Sequence, residues 1–253
     1  MKGLLMSIFR NILLPAFCFL VFSLVFQDCA STADKAVRKT VSDAAYSGAE
    51  SYFEPATSAA RTPDTEGFLQ RWLLLEPINK PNRTNTVFTD SYLLDAFNTM
   101  YFPNQFTVIP NNGDRVKVAD EELMWHALDA TTFNVKLFRF ASGLNKQKYG
   151  VLFWAVTVVN SPREMKNVRM AVGSNSASMW WLNGKEAVLL TGDRRMVMDD
   201  FVSRRLMLNK GRNVIRGAVI NGPGMSDFCV RFIDENGDPV RDLTISFKDT
   251  ENE

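Results

Sequence analysis

The dipeptide Asn183-Gly184 stands between two apolar runs, and no other feature constrains the fold of this chain as much. Both central positions of a type I′ turn need a positive φ, which Asn and Gly tolerate, so the pair reads as a two-residue β-hairpin. The surrounding segment, VRMAVGSNSASMWWLNGKEAVLL over 168–190, then reads as strand, tight turn, strand, hairpin turn and strand. Gly173-Ser174-Asn175-Ser176 supplies the tight-turn chemistry.

The same grammar runs from residue 67 onward, where short apolar runs alternate with Gly, Asn, Asp and Pro. Strand patterns fall on Phe68–Ile78, Phe133–Phe140, Gly150–Asn160, Asn213–Asn221 and Phe228–Ile233. One helix is expected, with Asp90 capping a run through Leu93, Leu94 and Phe97. Apolar residues make up 46% of the chain, enough for a sizeable core. These signals predict an all-β fold, a sandwich or jelly roll over 67–248, followed by a charged tail at 249–253.

The N-terminus reads as an export signal over 1–29. Lys2 and Arg10 precede a run from Ile12 to Phe26 that only Pro15 and Ser23 interrupt, shorter than the ~20 apolar residues a bilayer span needs. Cys29 follows, where a bacterial lipoprotein is cut and acylated, although Phe26, Gln27 and Asp28 match a lipobox poorly. Ordinary cleavage near Ser31–Ala33 and an uncleaved anchor are the alternatives. Acylation at Cys29 would hold the protein to a membrane with its body in water. The expected location is the periplasm or the outer-membrane surface. The stretch 30–66, rich in Ala, Ser and Thr, reads as a flexible tether.

Composition narrows the chemistry. A net charge of +1, from 29 basic and 28 acidic residues, gives no global field for nucleic acid, and leaves membrane contact to a lipid or signal anchor. His126 is the only histidine, so any Ser-His-Asp or Cys-His mechanism would have to use it, and a His-rich metal site cannot be built. Cys18 lies in the export segment, which leaves Cys29 and Cys229, too few for a thiolate zinc site. No catalytic residue, metal or cofactor is assigned from the sequence.

The segment GSNSASMWWLNGKEAV resembles the peptide G-S-D-D-G-x-x-V-W-L-N-G-K of galactose-binding-like domains attached to polysaccharide-degrading enzymes. Leu208–Ile215, Val219-Ile220-Asn221, Gly222-Pro223-Gly224, Arg231-Phe232 and Asp234–Pro239 resemble the later motifs of such domains, and Arg71–Ile78 resembles their opening strand. The wording is most similar to the non-catalytic module found with acetylxylan esterases of gut bacteria. The resemblance implies a galactose-binding-like jelly-roll β-sandwich that binds plant polysaccharide, most of all xylan, with a glycoside hydrolase or esterase as partner. It also leaves open an acetylxylan esterase or its accessory module. Some related sandwiches chelate calcium with an Asp-Asp pair; here Asn175 and Ser176 stand there, and no metal site is carried over.

A sugar site needs aromatic faces and planar polar groups. Adjacent strand residues face opposite sides, so one of Trp180 and Trp181 is a candidate platform, and Trp180 is chosen. Trp125 and His126 are candidates for stacking and hydrogen bonding, against a structural role in a strand. Arg194 and Arg195 could clamp an acidic sugar, against a salt-bridged loop with Asp199 and Asp200. Asn221 and Asp227 flank a Gly-rich loop, where turn capping is the plainer role.

Overall fold

The computed structural model describes residues 51–82, 88–192 and 194–247. The signal segment with Cys29, the first part of the tether, Asp193 and the tail lie outside the described residues.

The chain forms two antiparallel sheets. The elements run β1 (Phe53–Pro55), β2 (Arg71–Leu75), β3 (Ile78–Asn79), α1 (Asp90–Asn98), β4 (Arg115–Val118), β5 (Glu121–Ala130), α2 (Leu137–Gly143), β6 (Val151–Ser161) and β7 (Met165–Ser174). They continue with β8 (Ser178–Leu182), β9 (Lys185–Leu190), β10 (Phe201–Val202), β11 (Leu206–Leu208), β12 (Gly211–Asn221), β13 (Phe228–Ile233) and β14 (Thr244–Ile245). The larger sheet follows the order β1-β5-β2-β6-β12-β8-β9, with β3 and β14 also on β6 and β4 on β5. In the smaller sheet β7 pairs with β10, β11 and β13. The fold is the all-β sandwich expected from the strand patterns.

The signature peptide joins the two sheets. β7 belongs to the small sheet and β8 to the large one, and residues 175–177 carry the chain across. Asn183 and Gly184 have φ of 50° and 77°, the pair of positive values a type I′ turn needs. The core between the sheets contains Trp72, Trp180, Phe228, Phe232 and Val172. A second apolar layer covers the other face of the large sheet, where Phe97 of α1 and Phe102 pack with Trp125, Trp154 and Trp181. With both faces covered, β2 and β8 are buried at every residue, which explains their unbroken apolar runs.

Four sequence expectations change. Residues 51–66 are not tether: Phe53 is buried, β1 pairs with β5 from Phe53↔Ala130 to Pro55↔Leu128, and Arg61 bridges Ile245. The sandwich therefore begins before residue 67. The Phe133–Phe140 segment is not a strand, since Leu137–Gly143 is helical and buries Leu137, Phe140 and Ala141 at i, i+3, i+4 spacing. The cap of α1 is Thr89, whose hydroxyl accepts from the Tyr92 amide, and Asp90 lies in the first turn. Trp180 and Trp181 do face opposite sides, but each meets an apolar layer, so both are buried.

Candidate functional site

Of the sequence candidates, three are core. Trp125 and Trp180 are fully buried. The Trp180 Nε1–H donates to Ser178 Oγ at 3.0 Å. His126 is 2% exposed, with its ring edge-on to Phe140 and Nε2 3.5 Å from Glu76 Oε1. These positions correct the ligand roles considered for them: a sugar ring cannot stack on a residue sealed between layers.

The charged loop is salt-bridged. Arg194 pairs with Asp200 and donates to Thr191 O, while Arg231 holds Asp199 with two guanidinium nitrogens. The two aspartates take separate arginine partners from a turn in which Asp199 has a φ of 53°. Arg194 is thus occupied, and Arg195 is exposed. The loop lies over the small sheet, for a Cβ on Gly173 would overlap Val197 O and come within 2.9 Å of Cys229 Sγ.

Asn221 and Asp227 lie at the same end of the sandwich, where β6 and β13 begin and β7 and β12 end. Register fixes this: Val151 pairs with Asn221 and Ser174 with Phe228. The next residues continue the pairing, since the Asn175 amide donates to Asp227 O at 3.0 Å. Asn221 Nδ2 donates to Lys148 O at 2.7 Å and Gly224 O at 3.1 Å, which ties the loop before β6 to the β12–β13 loop. Asn221 is therefore the capping residue that its plainer role required. α2 enters through a bridge between Val135 and Phe228, and this sets Lys136 Nζ 3.3 Å from Asp227 Oδ2.

The polar atoms here are unusual. Asp227 is 3% exposed, yet its Oδ1 has no hydrogen-bond partner in the protein. Neither do Ser226 Oγ, Asn175 Oδ1 or Asn82 Oδ1. Buried polar atoms are almost always paired, and an unpaired one costs about 1–3 kcal/mol. All but the hydroxyl are acceptors only. Burial pushes the Asp227 carboxyl above the usual carboxylate range, although Lys136, the Phe138 amide and Arg139 pull it down. These oxygens are sealed from solvent and so polarise the interior of this end of the sandwich rather than its surface.

An aromatic surface adjoins it. Tyr149 is 48% exposed, its ring centroid 5.7 Å from that of Phe138 in α2. Lys148 Nζ sits 5.3 Å from the Phe138 centroid. Sequence reasoning missed Lys136, Phe138, Lys148, Tyr149 and Ser226. Tyr149 closes a polar stretch from Asn145 with no periodicity, and only the fold brings its ring against Phe138.

No family model and no curated protein matches the sequence. Among solved structures, a PA14 sugar-binding domain from an RTX adhesin shares 8% identity over 69% of this chain and 96% of its own, with a TM-score of 0.38. The PA14 domain of the MpAFP antifreeze protein shares 9% identity over 76% of this chain and 95% of its own, with a TM-score of 0.36. A β-glucosidase from Kluyveromyces marxianus shares 17% identity over 49% of this chain, with a TM-score of 0.32. This chain spans only 16% of that enzyme's length.

Proposed function

We propose that this protein is an exported, non-catalytic carbohydrate-binding protein that recognises plant cell-wall polysaccharide such as xylan. The observation that carries this reading is the exposed ring of Tyr149 at one end of the sandwich, set against Phe138 with the Lys148 ammonium over the same ring. A pyranose offers an apolar face of C–H groups, the complement of an exposed aromatic ring. The galactose-binding-like motifs in the sequence support the same reading. A hydrolase or esterase on another chain is the natural partner for such a module, and acylated Cys29 is its proposed anchor.

An esterase centred on His126 is the second reading, and the burial of that ring against Phe140 weighs against it. Acetate release from acetylated xylan, undiminished by His126→Ala, would rule out a His-dependent mechanism.

Affinity electrophoresis and titration calorimetry against xylans, galactans and pectins test the binding reading. At least one polymer is expected to bind, with Tyr149→Ala weakening it ~10-fold or more. No binding to any polymer by the folded protein would sink the reading. The mass of the mature N-terminus, with or without acyl chains, decides the anchor.

A further inference from the structure

The charges around this site are unevenly matched. Its one carboxylate, Asp227, already has Lys136 at 3.3 Å. Two further cations lie on aromatic rings instead of acids: Lys148 over Phe138 at 5.3 Å, and Arg139 over Tyr52 at 5.3 Å. Lys148 forms no salt bridge among the described residues, while Arg139 acts on Asp227 only from beyond salt-bridge distance. The ammonium of Lys148 and the exposed ring of Tyr149 share Phe138 as a neighbour, on consecutive residues of the loop that Asn221 fastens.

We propose, on the strength of the carbohydrate-binding reading, that the saccharide taken here carries a carboxylate, as a uronic acid does. Lys148 is its counter-charge and Tyr149 its stacking face. The chemistry fits at each point. A pyranose uronate has a carboxylate at the ring edge, beside the apolar face that stacks. An ammonium on a flexible stem can leave a ring face for a carboxylate, and no carboxylate among the described residues pairs with it. The sequence-level expectation of an acidic-sugar clamp at Arg194 moves with this, since Arg194 is held by Asp200.

The test compares one polymer in two charge states. The full chain is titrated with glucuronoxylan and with the same glucuronoxylan after its carboxyl groups are reduced to alcohols. The reduced polymer is expected to bind ~10-fold more weakly, the scale of one charge-assisted contact. Added salt should weaken binding to the native polymer and leave the reduced one nearly unchanged. Lys148→Gln, a surface change that leaves the fold intact, should erase the preference while keeping affinity for the reduced polymer. Equal affinity of the wild-type protein for both polymers overturns the proposal, as does a preference that survives Lys148→Gln. If both bind equally and Tyr149→Ala abolishes both, the carbohydrate reading stands and only the charge assignment falls. If a folded protein binds neither polymer, this assignment falls, and the wider panel of xylans, galactans and pectins decides the carbohydrate reading.

Discussion

The indole of Trp180 lies against Gly217, its partner across the β8–β12 ladder. A Cβ on that glycine would sit 2.6 Å from Cε3 and Cη2 of the ring and closer still to Cζ3. The ring also packs against Phe228 and edge-on to Trp72, so it has nowhere to retreat. Gly217→Ala is expected to destabilise the fold by at least about 2 kcal/mol through overpacking. Urea unfolding at constant slope measures this. Trp180→Phe in the same chain should recover part of the loss, and strict additivity of the two changes would refute the contact as its cause.

Arg71 and Asp129 form a buried pair on facing strands, with Nε to Oδ1 and Nη2 to Oδ2 both at 2.8 Å. The Arg71 guanidinium also donates to Ala59 O, and Arg61 lies 3.3 Å from the same aspartate. Asp129→Ala strands a buried guanidinium and is expected to cost about 3–5 kcal/mol. Arg61→Ala, removing a partly exposed partner, should cost less than about 1 kcal/mol. Thermal unfolding compares them, and similar losses would argue against the ranking. Asp129→Ala should also speed proteolysis within 51–66, because this pair fastens that segment to the sheet.

Glu76 gives the fold an acid limb. Burial alone would raise its carboxyl, but hydrogen bonds from His126 and Lys146 outweigh burial and hold it below its usual value of 4.5. A carboxyl depressed in the folded state contributes stability that is fully present above its unfolded pKa, and loses it as pH falls through the folded value. Glu76→Gln should therefore be less stable than wild type at neutral pH. The gap should close as the pH drops below about 4.5. A gap that stays constant between pH 7 and pH 3 would contradict the linkage.

Cys229 lies under the charged loop, where burial first of all pushes its thiol up to about 12. Thiolate is the reactive form, so the native protein should resist thiol reagents at pH 8 and react only after unfolding. Ellman titration of a chain with Cys18 and Cys29 changed to Ser isolates this residue. Rapid native labelling would show that the loop opens.

The strands were largely readable because their determinants are local. Asn183-Gly184 dictates a turn by its own φ preferences, and β12 and β13 carry their own apolar patterns. Features that depend on a distant partner were not readable. Phe53 is one buried ring in a polar stretch, and only β5 gives it a place. Trp180 and Trp181 could be assigned opposite faces, but a covered outer face requires the layer around Phe102 and Phe106. The candidate site was half visible. Asn221 and Asp227 were found through their Gly-rich loop, whereas Lys136 meets Asp227 because α2 is bridged to β13, and Lys148 and Tyr149 meet Phe138 of that same helix.

The two shortest strands of the small sheet have a consequence for how copies of this protein meet. β10 offers two residues and β11 three, the register slips between Leu206 and Met207, and exposed Arg204 and Arg205 occupy the gap. A neighbouring chain finds no run of free amides long enough to add itself as a strand, and two hydrated guanidiniums stand where it would dock. Copies of this protein therefore cannot join through this edge into a continuous sheet.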